Sequence, residues 1–175
     1  MIKLKTLSEQ DVFPFYEWLN DSESIKYSLS AFQKINSKTE IDLWFETILK
    51  DQKNLNLGIF LEESNKLIGY AGICSISQQN KSGEYFIFIG DKSVWGKGIG
   101  SKVSKQIIKI AFQDKKLNRL MLTVSAPNIG GVKAYQKAGF NLEGRLRQAC
   151  FRDGALHDKL IMSVLKEDYL KTINS

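Results

Sequence analysis

Six consecutive residues, Trp95-Gly96-Lys97-Gly98-Ile99-Gly100, constrain this chain more than any others. Glycine at every second position frees the backbone to reach φ > 0 and lets a ligand approach the main chain closely. The run from Tyr85 to Ile89 ahead of the turn is aromatic or β-branched and reads as a strand. Behind it, Ile99, Val103, Ile107, Ile110 and Ala111 fall on one face of a helix. The helix aims its unpaired N–H groups and positive dipole end at the turn, which makes an anion site suited to a pyrophosphate. Two familiar phosphate loops do not fit. The dinucleotide fingerprint needs glycine at 101, where serine stands, and an acidic strand end ~20 residues on, which is missing. The P-loop needs Ser or Thr after Gly-Lys, but Gly98 follows Lys97. A purely structural glycine turn is the plain alternative.

The 175 residues fit one domain, and 43% hydrophobic with 11% aromatic content supports a packed core rather than disorder. Ser8 and Asp11 bracket a first helix start, with Val12, Phe13, Phe15, Tyr16 and Leu19 as its apolar side and Pro14 limiting or bending it. Residues 20–36 are polar with little periodicity. Ser37-Lys38-Thr39-Glu40 is a capping box, and Ile41, Trp44, Phe45 and Ile48 follow at i, i+3, i+4 and i+7. Residues 57–61 and 66–76 read as strands joined by a turn at Asn65. Arg119–Ser125 is a strand, and Ile129–Ala138 a helix capped by Gly139. Phe140 onward and His157–Leu165 supply the last strands. This order predicts an α/β or α+β domain around one central sheet.

Several functions are excluded or disfavoured. No apolar run reaches the ~18–20 residues of a membrane span. The start, Met1-Ile2-Lys3-Leu4-Lys5, lacks a secretion signal, so a cytoplasmic protein is expected. Cys74, Cys150 and the single histidine His157 form no metal-ligand pattern, and no metal is expected. Residues 1–90 carry nine Lys against twelve Asp and Glu, net −3; residues 91–175 carry sixteen Lys and Arg against seven Asp and Glu, net +9. A basic second half suits a phosphorylated cofactor, a nucleic acid or simply a solvated surface. No nucleic-acid motif is present, so nucleic acid is not an expected partner.

Trp95 to Gly100 resembles the signature of the GNAT superfamily of N-acetyltransferases: Gln or Arg, two residues, Gly, one residue, Gly or Ala. Trp95 stands at the Gln/Arg position, as it does in the branch of ribosomal-protein N-terminal and polyamine acetyltransferases. A second block agrees: Asn128, Val132, Tyr135, Lys137, Gly139 and Phe140, with Gly131 in place of the usual alanine. A third runs through Leu142-Glu143-Gly144-Arg145-Leu146-Arg147, Arg152-Asp153-Gly154, Asp158 and Met162. The match is strong over about residues 56–170.

The resemblance implies a GNAT-like domain over 1–175, with a mostly antiparallel sheet, a splayed strand pair, and N-terminal helices (1–55) as an acceptor-site wall. It implies acetyl-CoA as co-substrate and direct transfer to a primary amine. The pyrophosphate would lie on Trp95, Gly96, Lys97, Gly98, Ile99, Gly100 and Ser101, and the pantetheine along Ile87, Phe88 and Ile89. Asn128, Gly131 and Lys137 would complete the cofactor side.

The reaction needs a base for the ammonium, a donor for the oxyanion and a hydrogen bond or proton for the departing thiolate. Tyr135 is the candidate for the thiolate, since a phenol is protonated at neutral pH. Glu84 is the candidate base; otherwise it is an exposed strand-end glutamate. His157 reads as a strand-edge residue, and an acetyl-cysteine route through Cys74 or Cys150 lacks a base motif. A protein N-terminus, a polyamine and an amino sugar remain as acceptors, with a homodimer possible. Residues 20–36 with Trp18, Tyr27, Phe32 and Trp44 are expected near the acceptor, although such aromatics more often form core. A non-catalytic acyl-CoA-binding module is the reading from another class.

Overall fold

The structure, a computed structural model, describes residues 1–173; residues 174 and 175, the end of the expected domain, lie outside the described residues. The elements run β1 (Ile2–Lys5), α1 (Phe13–Trp18), α2 (Ser22–Ile25), α3 (Lys38–Lys50), β2 (Leu55–Leu61), β3 (Leu67–Ser77), β4 (Ser82–Ile89) and α4 (Ile99–Lys109). They continue β5 (Arg119–Ser125), α5 (Ile129–Ala138), β6 (Asn141–Arg152), β7 (Ala155–Leu165) and α6 (Lys166–Ile173). The strands form one sheet in the order β1-β2-β3-β4-β5-β7-β6. Among the described residues β4 pairs with β5 in parallel, while β1–β2, β5–β7 and β6–β7 are antiparallel. This is the α/β domain around one sheet that the element order predicts, and the mixed, mostly antiparallel sheet with flanking helices that the resemblance implies. Residues group into two compact units: Met1–Gly72 with Phe86–Ile99, and Ile73–Tyr85 with the chain from Gly100 onward.

The first unit is built on aromatic side chains. Phe15 is fully buried and meets Trp18 at 5.1 Å and Phe45 at 5.4 Å between ring centroids. Phe32 meets Phe88 at 4.9 Å in an edge-on contact. Each such ring withdrawn from water contributes ~1.5–3 kcal/mol. Trp18 and Phe32 are therefore core, while Tyr27 and Trp44 are half-buried. The Asp11 carboxylate accepts from the Ser8 N–H (2.7 Å), but it starts a 3-10 turn; α1 proper begins at Phe13, with Pro14 in its first turn where no N–H is missed. The Ser37–Glu40 capping box opens α3 as expected, burying Ile41 and Phe45. Two findings were not expected. Residues 20–36 hold α2 and a 3-10 turn, and Ile2–Lys5 is a strand, with Ile2 opposite Leu61 and Lys5 opposite Gly58.

In the second unit, facing pairs on β5 and β7 form the core: Leu120 with Val164, Leu122 with Met162, Val124 with Leu160, all buried. Helix α4 buries Val103, Ile107 and Ile108 and then widens into a π-turn at residues 110–114. The extra residue per turn rotates the face. Ile110, expected inside, is half-buried, while Ala111 and Phe112 are buried. Arg119 on β5 grips the Glu143 carboxylate on β6 with both terminal nitrogens, and Ser163 donates to the same group at 2.6 Å. These donors, Arg119 first, hold the Glu143 carboxyl at about 2. A depressed carboxyl stabilises the fold above its unfolded value of about 4.3 and loses that contribution as pH falls toward 2. Glu143→Gln should therefore flatten the acid-unfolding profile between those limits. Identical acid transitions for the two proteins would show that the pair contributes nothing.

Candidate active site

In the glycine turn, Gly96 and Gly98 adopt φ +73° and +74°. A Cβ built on either would meet nothing within 4 Å. Packing thus leaves the backbone uncovered, and the left-handed conformation favours glycine there. Lys97 between them is exposed, and its ammonium makes no ion pair among the described residues. Trp95 is 40% exposed, and its indole N–H donates to the Ile89 carbonyl at 3.0 Å. The tryptophan that replaces Gln or Arg therefore fastens the turn to the end of β4. Ile99 is buried and starts α4.

The corner before the turn is tied down by contacts that sequence reasoning missed. Gly90 and Asp91 both donate their N–H to the Ile68 carbonyl, at 3.0 and 3.2 Å. Asp91 pairs with Lys66 at 2.7 Å and caps the 3-10 turn that follows. Lys92 pairs with Asp21 at 2.5 Å and Glu23 at 3.0 Å, so α2 is fastened to this corner. The Lys92 ammonium pulls the Asp21 carboxyl below its ordinary value, and the two carboxylates raise Lys92. Asp21 also accepts from the Glu23 N–H as the α2 cap. The one available signal was the run Asn20-Asp21-Ser22-Glu23, which reads as a helix start.

Along β4 the backbone alternates. Phe88 turns its carbonyl toward Gly69, where a Cβ would lie 2.3 Å from that oxygen. By alternation, the polar groups of Ile87 and Ile89 face the other edge, where the Ile89 carbonyl takes the Trp95 indole. The β4–β5 register covers Ser82, Gly83 and Glu84 opposite Arg119, Leu120 and Met121.

In the second unit, Gly100 and Ser101 begin the helical run beside α5. A Cβ on Gly100 would lie 3.4 Å from the Ala134 Cβ, and the Ser101 hydroxyl donates to the Ala134 carbonyl at 3.1 Å. Asn128 caps α5 by accepting from the Gly131 N–H at 3.0 Å. A Cβ on Gly131 would meet the Asn128 amide nitrogen at 2.6 Å, so the cap side chain would have to shift to admit alanine there. Lys137 is exposed. Tyr135 is half-buried, its ring edge-on to Tyr85 at 6.0 Å, and its hydroxyl makes no hydrogen bond among the described residues. Burial pushes this phenol up to about 12.

Glu84 is half-buried, and its carboxylate has no donor or cation among the described residues. Glu84 and Tyr85 are consecutive in a strand, so their side chains leave opposite faces. Tyr85 meets Tyr135; Glu84 points the other way. The two candidate catalytic groups are thus not on one face. Cys150 is buried with its thiol 3.5 Å from the Ser125 hydroxyl, and His157 approaches the Arg152 carbonyl at 3.2 Å. Neither contact supplies an activated nucleophile. No cluster of three metal-ligating side chains occurs among the described residues.

The model of the acetyltransferase (GNAT) domain family matches residues 2–141. Among curated relatives, the "uncharacterized N-acetyltransferase p20" of Bacillus licheniformis is 27% identical over 96% of this chain and 94% of its own. The "uncharacterized N-acetyltransferase YoaA" of Bacillus subtilis is 24% identical over 93% and 92%. Among solved structures, the spermidine N-acetyltransferase from Vibrio cholerae in complex with CoA and spermine has a TM-score of 0.86 at 22% identity, covering 97% of this chain and 98% of its own.

Proposed function

We propose that this chain, which belongs to the acetyltransferase (GNAT) domain family, passes an acetyl group from acetyl-CoA directly to a cationic primary amine, with Glu84 serving the amine from one face of β4 and Tyr135 serving the thiolate from the other. N-acetyl transfer is the activity of its family and relatives, and acetyl-CoA is the co-substrate. The observation that carries the acceptor reading is the Glu84 carboxylate, half-buried and without a cation among the described residues. Such a carboxylate attracts an ammonium and takes its proton, directly or through a water. A polyamine fits this best, and the name of the Vibrio cholerae neighbour points the same way. A protein N-terminus and an amino sugar are the competing acceptors.

Tyr135 serves the thiolate. Burial raises the Tyr135 phenol and so disfavours complete transfer of its proton to the thiolate. The Tyr135 O–H therefore stabilises the departing sulfur as a hydrogen-bond donor and keeps its proton. Glu84 stands at the last residue of the β4–β5 register, opposite Met121. Beyond it β4 has backbone groups for the pantetheine, foremost those of Ile87 and the Ile89 N–H, in the manner of an added strand. The open backbone at Gly96 and Gly98, Lys97, and the first turn of α4 suit the pyrophosphate. Asn128, Gly131 and Lys137, at the cap and along α5, are assigned to the cofactor by the resemblance alone. In this reading the whole chain is one acetyltransferase domain that works in the cytoplasm.

Thiol release from acetyl-CoA tests the proposal against a panel of spermidine, N-terminal peptides and amino sugar nucleotides. Release with spermidine alone is the expected result; CoA binding without release on any amine would leave an acyl-CoA-binding module. Gly98→Val checks the phosphate assignment. A β-branched side chain at φ +74° covers the open backbone and costs ~1–2 kcal/mol in conformation. The acetyl-CoA dissociation constant should rise at least ~10-fold, a loss of ~1.4 kcal/mol. An unchanged constant would place the phosphates elsewhere.

A further inference from the structure

Tyr85 takes no part in the chemistry proposed above, yet it is 3% exposed and carries a buried hydroxyl. Its ring stacks on Phe140 at 5.8 Å with planes 17° apart, and stands edge-on to Tyr135 at 6.0 Å and 85°. Tyr135 and Phe140 are also edge-on, at 6.1 Å, so the three rings close a triangle. The Tyr85 hydroxyl lies 3.0 Å from Ser104 Oγ on α4, and Ser104 is fully buried. Ser104 has one hydroxyl proton, which it donates to the Gly100 carbonyl at 2.8 Å. The 3.0 Å contact must then run from the Tyr85 O–H to the Ser104 oxygen. Burial pushes the Tyr85 phenol well above its ordinary value, so this donor stays in place across the working pH range.

The relay ends where α4 meets α5. Gly100 packs against Ala134, Ser101 donates to the Ala134 carbonyl, and Tyr135 is the next residue. We infer that Tyr85 is a positioning residue for Tyr135: its ring fixes one side of the Tyr135 ring, and its hydroxyl, through Ser104 and Gly100, holds the first turn of α4 against the helix that carries Tyr135. The inference rests on the assignment of Tyr135 to the thiolate. A hydrogen bond to a developing charge loses strength steeply with misplacement, so a small drift of the ring is felt in turnover rather than in binding.

Tyr85→Phe keeps the ring and removes the relay, and Ser104→Ala removes it from the other end. Both are small enough to fold. Each should lower kcat by about 5-fold, ~1 kcal/mol, while the acetyl-CoA dissociation constant changes by less than ~2-fold. The deciding measurement is a double-mutant cycle with Tyr135→Phe. If Tyr85 acts through Tyr135, Tyr85→Phe/Tyr135→Phe is no slower than Tyr135→Phe alone. A merely structural role gives two losses that multiply, and that result, or an unchanged kcat in both relay variants, overturns the inference alone. Full turnover by Tyr135→Phe overturns the thiolate assignment and the inference with it.

Discussion

Tyr135→Phe should reduce kcat about 10- to 100-fold while the acetyl-CoA dissociation constant stays within ~2-fold. The substitution removes one oxygen and keeps the ring that Tyr85 and Phe140 hold edge-on, so folding and the shape of the site are retained. What is lost is a hydrogen bond to a sulfur that becomes negative only as the acetyl group leaves. Bonds to charged groups are worth ~1.5–3 kcal/mol, and one made only in the transition state appears in kcat. The raised phenol adds a second expectation. With its value at about 12, Tyr135 remains protonated through pH 10, so it produces no basic limb in the rate profile. Comparison of kcat from pH 6 to 10 for the native chain and Tyr135→Phe should give parallel curves. A basic limb present only in the native chain would mean that Tyr135 gives up its proton during turnover. A normal kcat would remove Tyr135 from the chemistry.

The parts of this fold that are local were legible in the sequence. The capping box at Ser37–Glu40 names a helix start because both hydrogen bonds lie within four residues, and Arg119–Ser125 and Ile129–Ala138 keep their expected bounds. The motif glycines were legible for the same reason: positive φ at Gly96 and Gly98 is a property of the turn itself. What escaped is long-range. Ile2–Lys5 is a strand only because β2 lies beside it, and four residues carry too little pattern to show that. The fastening of α2 to the corner before the turn depends on Lys92 reaching Asp21, 71 positions away in the chain. Trp95 looked like a departure from a phosphate-binding signature; its bond to the Ile89 carbonyl gives it a different task. The roles proposed for Glu84 and Tyr135 come from the resemblance; alternation along β4 sends Glu84 to the face opposite Tyr85, a restriction that becomes visible only once Tyr85 is seen against Tyr135.

Gly72→Ala should lower stability by ~3 kcal/mol or more, although it adds one methyl group to a strand. Nothing about the residue's position in the sequence suggests such a cost; alanine in a strand is ordinarily tolerated. In the structure an ideal Cβ at 72 would lie 1.8 Å from the Leu55 carbonyl oxygen, 2.8 Å from its carbon and 2.7 Å from the Phe86 ring. The first two are backbone atoms of β2, and backbone cannot rotate away as a side chain does. Relief requires β2 and β3 to separate, at the expense of their pairing and of the aromatic core beneath. Overpacking that moves backbone exceeds the ordinary ~1–3 kcal/mol range. For a chain of this length the loss corresponds to a fall of roughly 6–12 °C in Tm. Gly130→Ala is the matched control: it lies inside α5 with nothing within 4 Å of the new methyl, and helix propensity should raise stability by up to ~1 kcal/mol. Thermal unfolding of the two variants separates a backbone contact from a general effect of replacing glycine. If Gly72→Ala melts with the native protein, the close approach of β2 at Leu55 is wrong. Phe86, which would meet the same methyl, stands in the strand that runs on through Ile87 to the glycine turn. Partial loss of β3 would therefore be expected to weaken acetyl-CoA binding before it abolishes folding.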